Sequence, residues 1–301
     1  MADQKRKPVT IDQTDSPKQS QHSKRKSSYI KDSASKVTYI AETYGLDALL
    51  RKTSPENSLL DRALRREKQR REQRQKNLEQ IIKLSFSSCK DETAGDPDQD
   101  WLYRFFDMAQ DIHNASMQRL WAQVLKLEVT NPGSTSMKAL QVLKDMTPKE
   151  AHNLQRAAAL ACSFGHDHSK KLLLGFRTPA GIFSLNRRDK TNTVNLGNYQ
   201  LPYSSLLLLT ELGLILGTEL ESGEIDFEPA LALDYQGKTL SLQPMSKGTR
   251  LIYYRFSPTG NELCRLLGNK PNMKYYDQLV ALLGQKFILH TEVTHSVDHI
   301  V

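Results

Sequence analysis

With 301 residues, 38% of them apolar and 25% charged, the chain has a globular composition and material for about two domains. Its longest apolar stretch, SSLLLLTELGLILG, carries Glu211 in its middle and is too short to cross a bilayer, so no membrane partner is expected. Cys89, Cys162 and Cys264 are odd in number and far apart, which excludes a disulfide framework and fits reduced thiols.

The start, MADQKRKPVTIDQT, has charge but no apolar run behind it, so a secretory leader is not expected and a cytoplasmic location is. Residues 1–36 are rich in Lys, Ser, Gln and Asp and read as a disordered basic tail. Residues 37–51, VTYIAETYGLDALLR, regain apolar spacing and predict a short docking helix. Ser54 and Pro55 then mark a helix start, as cap and first helical residue. From Arg65 to Asn77 no apolar residue occurs, which predicts a solvated helix held by propensity and by pairs such as Glu67 with Arg71.

The formal net charge of +8 is concentrated in this first quarter. Residues 1–77 hold 19 Lys and Arg against 10 Asp and Glu, and the remainder holds 23 against 24. A neutral body argues against a broad basic groove on the folded part. Arg65, Arg66, Lys68, Arg70, Arg71, Arg74 and Lys76 are therefore the candidate contacts to phosphate or to an acidic partner. They surround the helix with no aromatic residue between them, so nucleic-acid binding through them would be nonspecific, and a plain solvated spacer is the competing reading.

An acidic loop, KDETAGDPDQD, leads into a helical bundle over residues 77–164. Asp98 or Asp100 caps a helix carrying Leu102, Phe105, Phe106 and Ala109, and Asn114 caps the next, with Met117, Leu120, Trp121, Val124 and Leu125 on one face. NPGS ends that helix. Leu140, Leu143 and Met146 mark a third, and Thr147, Pro148 and Glu150 open a fourth with a capping box. Trp101, Phe105 and Trp121 read as core anchors, with a partner groove as the alternative. Glu128 opposes the dipole of its helix, so it needs an ion pair to Arg104 or Arg119, or the amides of GSTS.

Beyond Gly165 the texture changes to short apolar runs broken by Gly, Pro and Asn. KLLLGFRTPAGIFSL and TVNLGNYQL suggest strands, YSSLLLLTELGLIL a helix entering a Gly-turned strand, and ALALDYQGKTLSLQP a hairpin about Gln236 and Gly237. LIYYRFSPTGNELCRLLG reads as a strand and then a helix capped by Ser257 with Pro258 first; NMKYYDQLVALLG is a last helix, and residues 290–301 a tail. The order resembles the wing half of winged helix-turn-helix domains. The fold class expected is thus mostly α with a smaller α+β part: a helical bundle followed by a winged-helix-like domain over residues 165–289.

Residues 74–151 resemble an uncharacterised bacterial cytosolic family, a domain of unknown function. The likeness rests on RQKNLEQII, DWLYRFFDMA, MQRLWAQVLKLE, NPGSTS and LKDMTPKEA, about a quarter of the chain. A helix of the kind LQ-x-LWA-x-L is also similar, more distantly, to abortive-infection proteins. The motif residues Trp101, Arg104, Phe105, Trp121, Glu128, Pro132 and Gly133 would then be structural, and the resemblance implies no activity. CSFGHDH gathers Cys162, His166, Asp167 and His168, with His290, His295 and His299 far downstream, but a closed zinc site wants four ligands within reach. No nucleophile elbow or phosphate loop occurs. No catalytic residue, metal or cofactor is assigned, and the expectation is a non-enzymatic interaction or regulatory protein, with stress or phage defence as its setting, or else a DNA- or RNA-binding regulator.

Overall fold

The computed structural model describes residues 32–50, 58–90, 92–165, 167–179, 189–267 and 270–291. The structure is helix-rich α+β, with nine α-helices and two small antiparallel sheets among those residues. Its helical part opens with α1 (Ser33–Thr43), which starts four residues before the expected Val37 because Asp32 accepts the Ser35 amide as N-cap. The expected start at Ser54 and Pro55 lies outside the described residues. The long helix α2 (Leu59–Ser88) begins from Ser58, whose hydroxyl accepts the Asp61 amide.

The next four helices are capped largely as their sequences suggest. In α3 (Gln99–Ala109) the cap is Asp98, in α4 (Ala115–Thr130) Asn114, and in α5 (Met137–Asp145) Ser136. Thr147 and Glu150 close a full capping box on α6 (Pro148–Leu160). α4 is the centre of the bundle: Met117, Leu120, Trp121, Val124 and Leu125 are all buried. α2 lies along it, and Asn77, Ile81 and Ser85 are the α2 residues it buries.

The strands follow as β1 (Ser163–Phe164), β2 (Lys171–Thr178) and β3 (Lys190–Thr193). After β3 the expected strand gives way to a 3-10 turn at Leu196–Tyr199, because the Asn195 side chain accepts the Gly197 amide and offers the backbone a local alternative to a ladder. Then come α7 (Tyr203–Glu211), β4 (Leu220–Glu221), β5 (Leu231–Tyr235), β6 (Lys238–Pro244), β7 (Arg250–Arg255), α8 (Pro258–Leu266), α9 (Met273–Leu283) and β8 (Phe287–Thr291). β8 extends the last strand through His290 into what was expected to be tail; residues 292–301 lie outside the described set.

One sheet has the order β1-β5-β6-β8 and the other β3-β2-β7-β4. The β5–β6 hairpin turns at Gln236 and Gly237, both at positive φ (53° and 86°), a pairing that matches the twist of the flanking strands. β2 shifts register against β7 at Leu173 and Gly175. A Cβ at Gly175 would collide with the Asn192 carbonyl, so only glycine lets β3 approach there.

Two tyrosines join the parts. The Tyr275 hydroxyl, fully buried, donates to the Leu173 carbonyl at 2.5 Å, and that of Tyr235 donates to Ala159 at 2.7 Å while accepting the Asn272 amide at 2.9 Å. Gln236, at the hairpin tip, donates to the Ala158 and Ala161 carbonyls at the end of α6. The buried apolar residues form one cluster running from Ile81 in α2 to Phe287 in β8.

Candidate functional site

Two places gather the residues singled out by the sequence. The first is the N-terminal half of α2. Asn77 is the first buried residue of α2: its amide donates to the Gln110 carbonyl at 2.8 Å and accepts from Gln73 and Gln118. Residues 59–73, about 22 Å of helix, are exposed save for Arg62 and Glu67, which are half-buried.

Within that stretch Arg71 pairs with Glu67 at 3.1 Å. Arg74, at its root, makes a bidentate pair with Asp111 at 2.7 and 2.8 Å. The Arg74 hydrogen bonds hold the Asp111 carboxyl below the usual carboxylate range and raise the guanidinium in turn. Arg65, Arg66, Lys68, Arg70 and Lys76 have no ion-pair partner among the described residues. The candidate set therefore divides into two paired arginines and five free cations.

The second place is a cleft of about 630 Å³ at the far end of α2 and α4. Trp101, Arg104, Glu128, Pro132 and Gly133, five of the residues on which the family resemblance rests, line it together. The other two, Phe105 and Trp121, stand fully buried behind it. Trp101 stacks on Phe105 at 5.2 Å between centroids, and Phe105 leans on Trp121 at the same distance. The Trp101 indole donates to the Thr135 carbonyl at 2.9 Å, which fixes α3 to the NPGS turn.

Glu128 is 1% exposed and holds that turn shut. Its Oε1 accepts the Gly133 amide at 2.6 Å, and its Oε2 accepts the Thr135 amide at 3.1 Å and the Ser134 hydroxyl at 3.3 Å. The GSTS amides thus satisfy it, without an ion pair to Arg104 or Arg119. Gly133 sits at φ +78°, and Pro132 lies so close to Gly95 that a Cβ there would come within 2.8 Å of its ring. Both glycines are required by the shape of the cleft.

The sequence reading missed the rim. Asp96, Asp98 and Asp100 also line the cleft, and so does Met137. Asp98 is occupied in capping α3 through the Trp101 amide, at 2.8 Å, while Asp96 and Asp100 are exposed and their side chains have no hydrogen bond or ion pair among the described residues. The signal in the sequence is the alternation of acids in DPDQD, which by itself marks only a loop and a cap.

Of the CSFGHDH cluster, Cys162, Asp167 and His168 are among the described residues, and these form no metal-ligand group. Cys162 is buried and its thiol is pushed up to about 12 by desolvation. Asp167 is lowered to about 2, chiefly by the Ser169 hydroxyl and amide, and pairs with Arg255 at 2.8 Å and Lys171 at 3.6 Å. Lys171, 3% exposed, donates to the carbonyls of Phe164, Asp167 and Ser169 and so ties the loop that carries Asp167. His166, His295 and His299 lie outside the described residues. Among those described, no group of three or more His, Cys, Asp or Glu side chains is arranged to hold a metal, and no helix is long and apolar enough to cross a membrane.

No curated protein and no solved structure matches the chain. Residues 61–280, which include the free cations of α2, the cleft and every strand but β8, match the family model described as Protein of unknown function (DUF2806), and the chain belongs to that family.

Proposed function

We propose that this chain is a cytoplasmic, non-enzymatic interaction protein that offers the N-terminal half of α2 to an acidic partner. The observation that carries this reading is the set of five exposed cations on the N-terminal half of α2, none of them in an ion pair among the described residues. Cations held in water on a stiff helix attract a partner at long range and cost the fold little. Leu59, Leu60 and Leu64 are exposed on the same segment, and Val37, Ile40 and Tyr44 on α1, so an apolar contact can follow the electrostatic encounter. A setting in stress or phage defence rests on the LQ-x-LWA-x-L likeness alone.

A second reading, nonspecific binding of DNA or RNA, is favoured by the same cations. The order of α7, the β5–β6 ribbon and α8 supports a winged-helix-like description of residues 165–289, but the exposed face of α7, with Tyr203, Ser204, Leu207 and Glu211, carries no cation. Duplex binding through α2 would give a slope of log K on log salt of roughly −4 to −5 for five phosphate contacts.

The test compares the intact protein with a variant carrying Arg65→Gln, Arg66→Gln, Lys68→Gln, Arg70→Gln and Lys76→Gln as baits in the extract of its own cell. The interaction reading expects a protein partner that the parent retains after nuclease treatment and the variant loses. Partners that vanish with nuclease, together with that salt slope on a labelled duplex, would establish the second reading instead. Equal capture by both baits would refute both.

A further inference from the structure

We infer that the acidic partner of the α2 cations is the cleft of a second copy of this chain, so that the protein associates head to tail. This rests on the reading of α2 as an interaction element and names what it meets.

The first argument is placement. α4 runs parallel to α2: Gln118 meets Asn77 near the start of the packed stretch, and Lys126 donates to the Ser88 carbonyl at 2.6 Å at its end. α3 returns antiparallel, from Trp101 at the NPGS turn to Gln110 beside Asn77. The cleft therefore lies at one pole of the bundle and the free cations at the other. From Arg66 to Ser88 is about 33 Å of continuous helix, so the cations cannot fold back into the cleft of their own chain. Only another copy brings the two together.

The second argument is complementarity. On α2 the exposed Leu60 and Leu64 share one side with Lys68, and Arg65, Arg66 and Arg70, which have no ion-pair partner among the described residues, spread over the other sides of the helix. The cleft sets the free carboxylates Asp96 and Asp100 beside the apolar surface of Trp101 and Met137. A helix that carries unpaired cations fits a cleft rimmed by unpaired carboxylates, where each charge gains a partner. α2 against α2 would instead oppose like charges. The contact is heterologous, since it joins different patches, and it propagates to a ring or an open chain depending on the rotation between copies.

The test uses the full chain and two charge-reversed variants: one with Arg65→Glu, Arg66→Glu and Arg70→Glu, the other with Asp96→Lys and Asp100→Lys. All five positions are exposed, and unchanged circular dichroism melts would show that both variants fold. Sedimentation velocity over two decades of concentration should show the parent growing in mass at about 0.1 M salt and dissociating at about 1 M, where the screening length falls from about 10 Å to about 3 Å. Each variant alone should self-associate about tenfold more weakly or worse, as two or three lost charge pairs imply. Mixed in equal amounts they should assemble again, because the native helix of one meets the native cleft of the other and the reversed helix meets the reversed cleft with opposite charge.

A parent that stays monomeric at 0.1 M salt, a single variant that assembles like the parent, or a mixture that stays monomeric overturns the inference. Binding of the parent to poly-L-glutamate separates its failure from that of the function reading. A monomeric parent that still binds the polymer refutes self-association alone. A parent that binds it no better than the arginine variant refutes the role of the α2 cations as well.

Discussion

The two halves of α2 obey different rules. From Arg74 to Ser88 the helix is anchored: Arg74 grips Asp111, Asn77 is bonded to α3 and α4, and Ile81 is 1% exposed against α4. From Leu59 to Gln73 almost nothing touches it, and the helix persists on its Ser58 cap, on strong helix formers and on pairs such as Glu67 with Arg71. An isolated helix of such length is marginal in water, so the free half borrows its order from the anchored half, which supplies the nucleus from which it propagates. The cost of substitution should therefore fall steeply across Asn77.

The largest expected effect lies in the wall that α2 packs on. Trp121→Ala removes a fully buried aromatic ring and should destabilise the protein by about 3–5 kcal/mol, read as a lowered thermal midpoint. A melt like that of the parent would mean that Trp121 is not a core residue. Ile81→Ala, in the anchored half itself, should cost about 2–5 kcal/mol by the same cavity argument. Glu128→Ala strands the Gly133 and Thr135 amides and the Ser134 hydroxyl, and about 1–3 kcal/mol should be lost in chemical denaturation as the NPGS turn opens.

Arg74→Gln tests the root of the free half. Both partners are partly in water, so the pair contributes about 1 kcal/mol or less, and its signature is the pH dependence. Asp111 has its folded pKa below the unfolded value of about 3.9. Its stabilisation is complete above that value and disappears as the pH falls through the lower folded value. The variant should lose this part of the acid limb of the stability curve, and an unchanged limb would show that the pair contributes nothing. Smallest of all, Leu64→Ala in the free half should move stability by no more than about 0.5 kcal/mol. A loss comparable to that of Ile81→Ala would mean that this half is packed after all.

The same division explains how much could be read from the sequence. Caps are local, so Asp98, Asn114, the Thr147 and Glu150 box and the Ser257–Pro258 start all stand where their residue types place them. The Gln236–Gly237 hairpin is local too. The apolar spacing of α4 gives its buried face and the bare charge of residues 65–73 a solvated helix, because neither needs knowledge of a distant neighbour, whereas Arg74 and Asn77, expected in the same solvated run, are held by Asp111 and the Gln110 carbonyl. The 3-10 turn at Leu196–Tyr199 escaped because Asn195 competes with the strand through its own side chain. The cleft escaped because Asp96, Trp101, Glu128 and Met137 belong to four separate pieces of chain, and only the fixing of the NPGS turn by Glu128 and Trp101 brings them side by side. Lys171 escaped for a simpler reason: a lysine in a strand reads as exposed until its three carbonyl partners are known.

The pairing of the strands sets a timetable for folding. β1 must wait for β5, about 70 residues later, and β2 must wait for β7, about 80 residues later, whereas α2, α3 and α4 meet one another close in sequence, before α8 arrives to pack on α4, α5 and α6. A chain emerging from the ribosome can pair α2 with α4 early, but β2, whose side chains are buried nearly throughout, has only β3 on one edge until β7 has been made. During that interval KLLLGF is the segment most open to wrong pairing. The buried Lys171 at its head is a charge at the mouth of that run, so the same residue that ties the finished loop also makes the unfinished strand a poor template for aggregation.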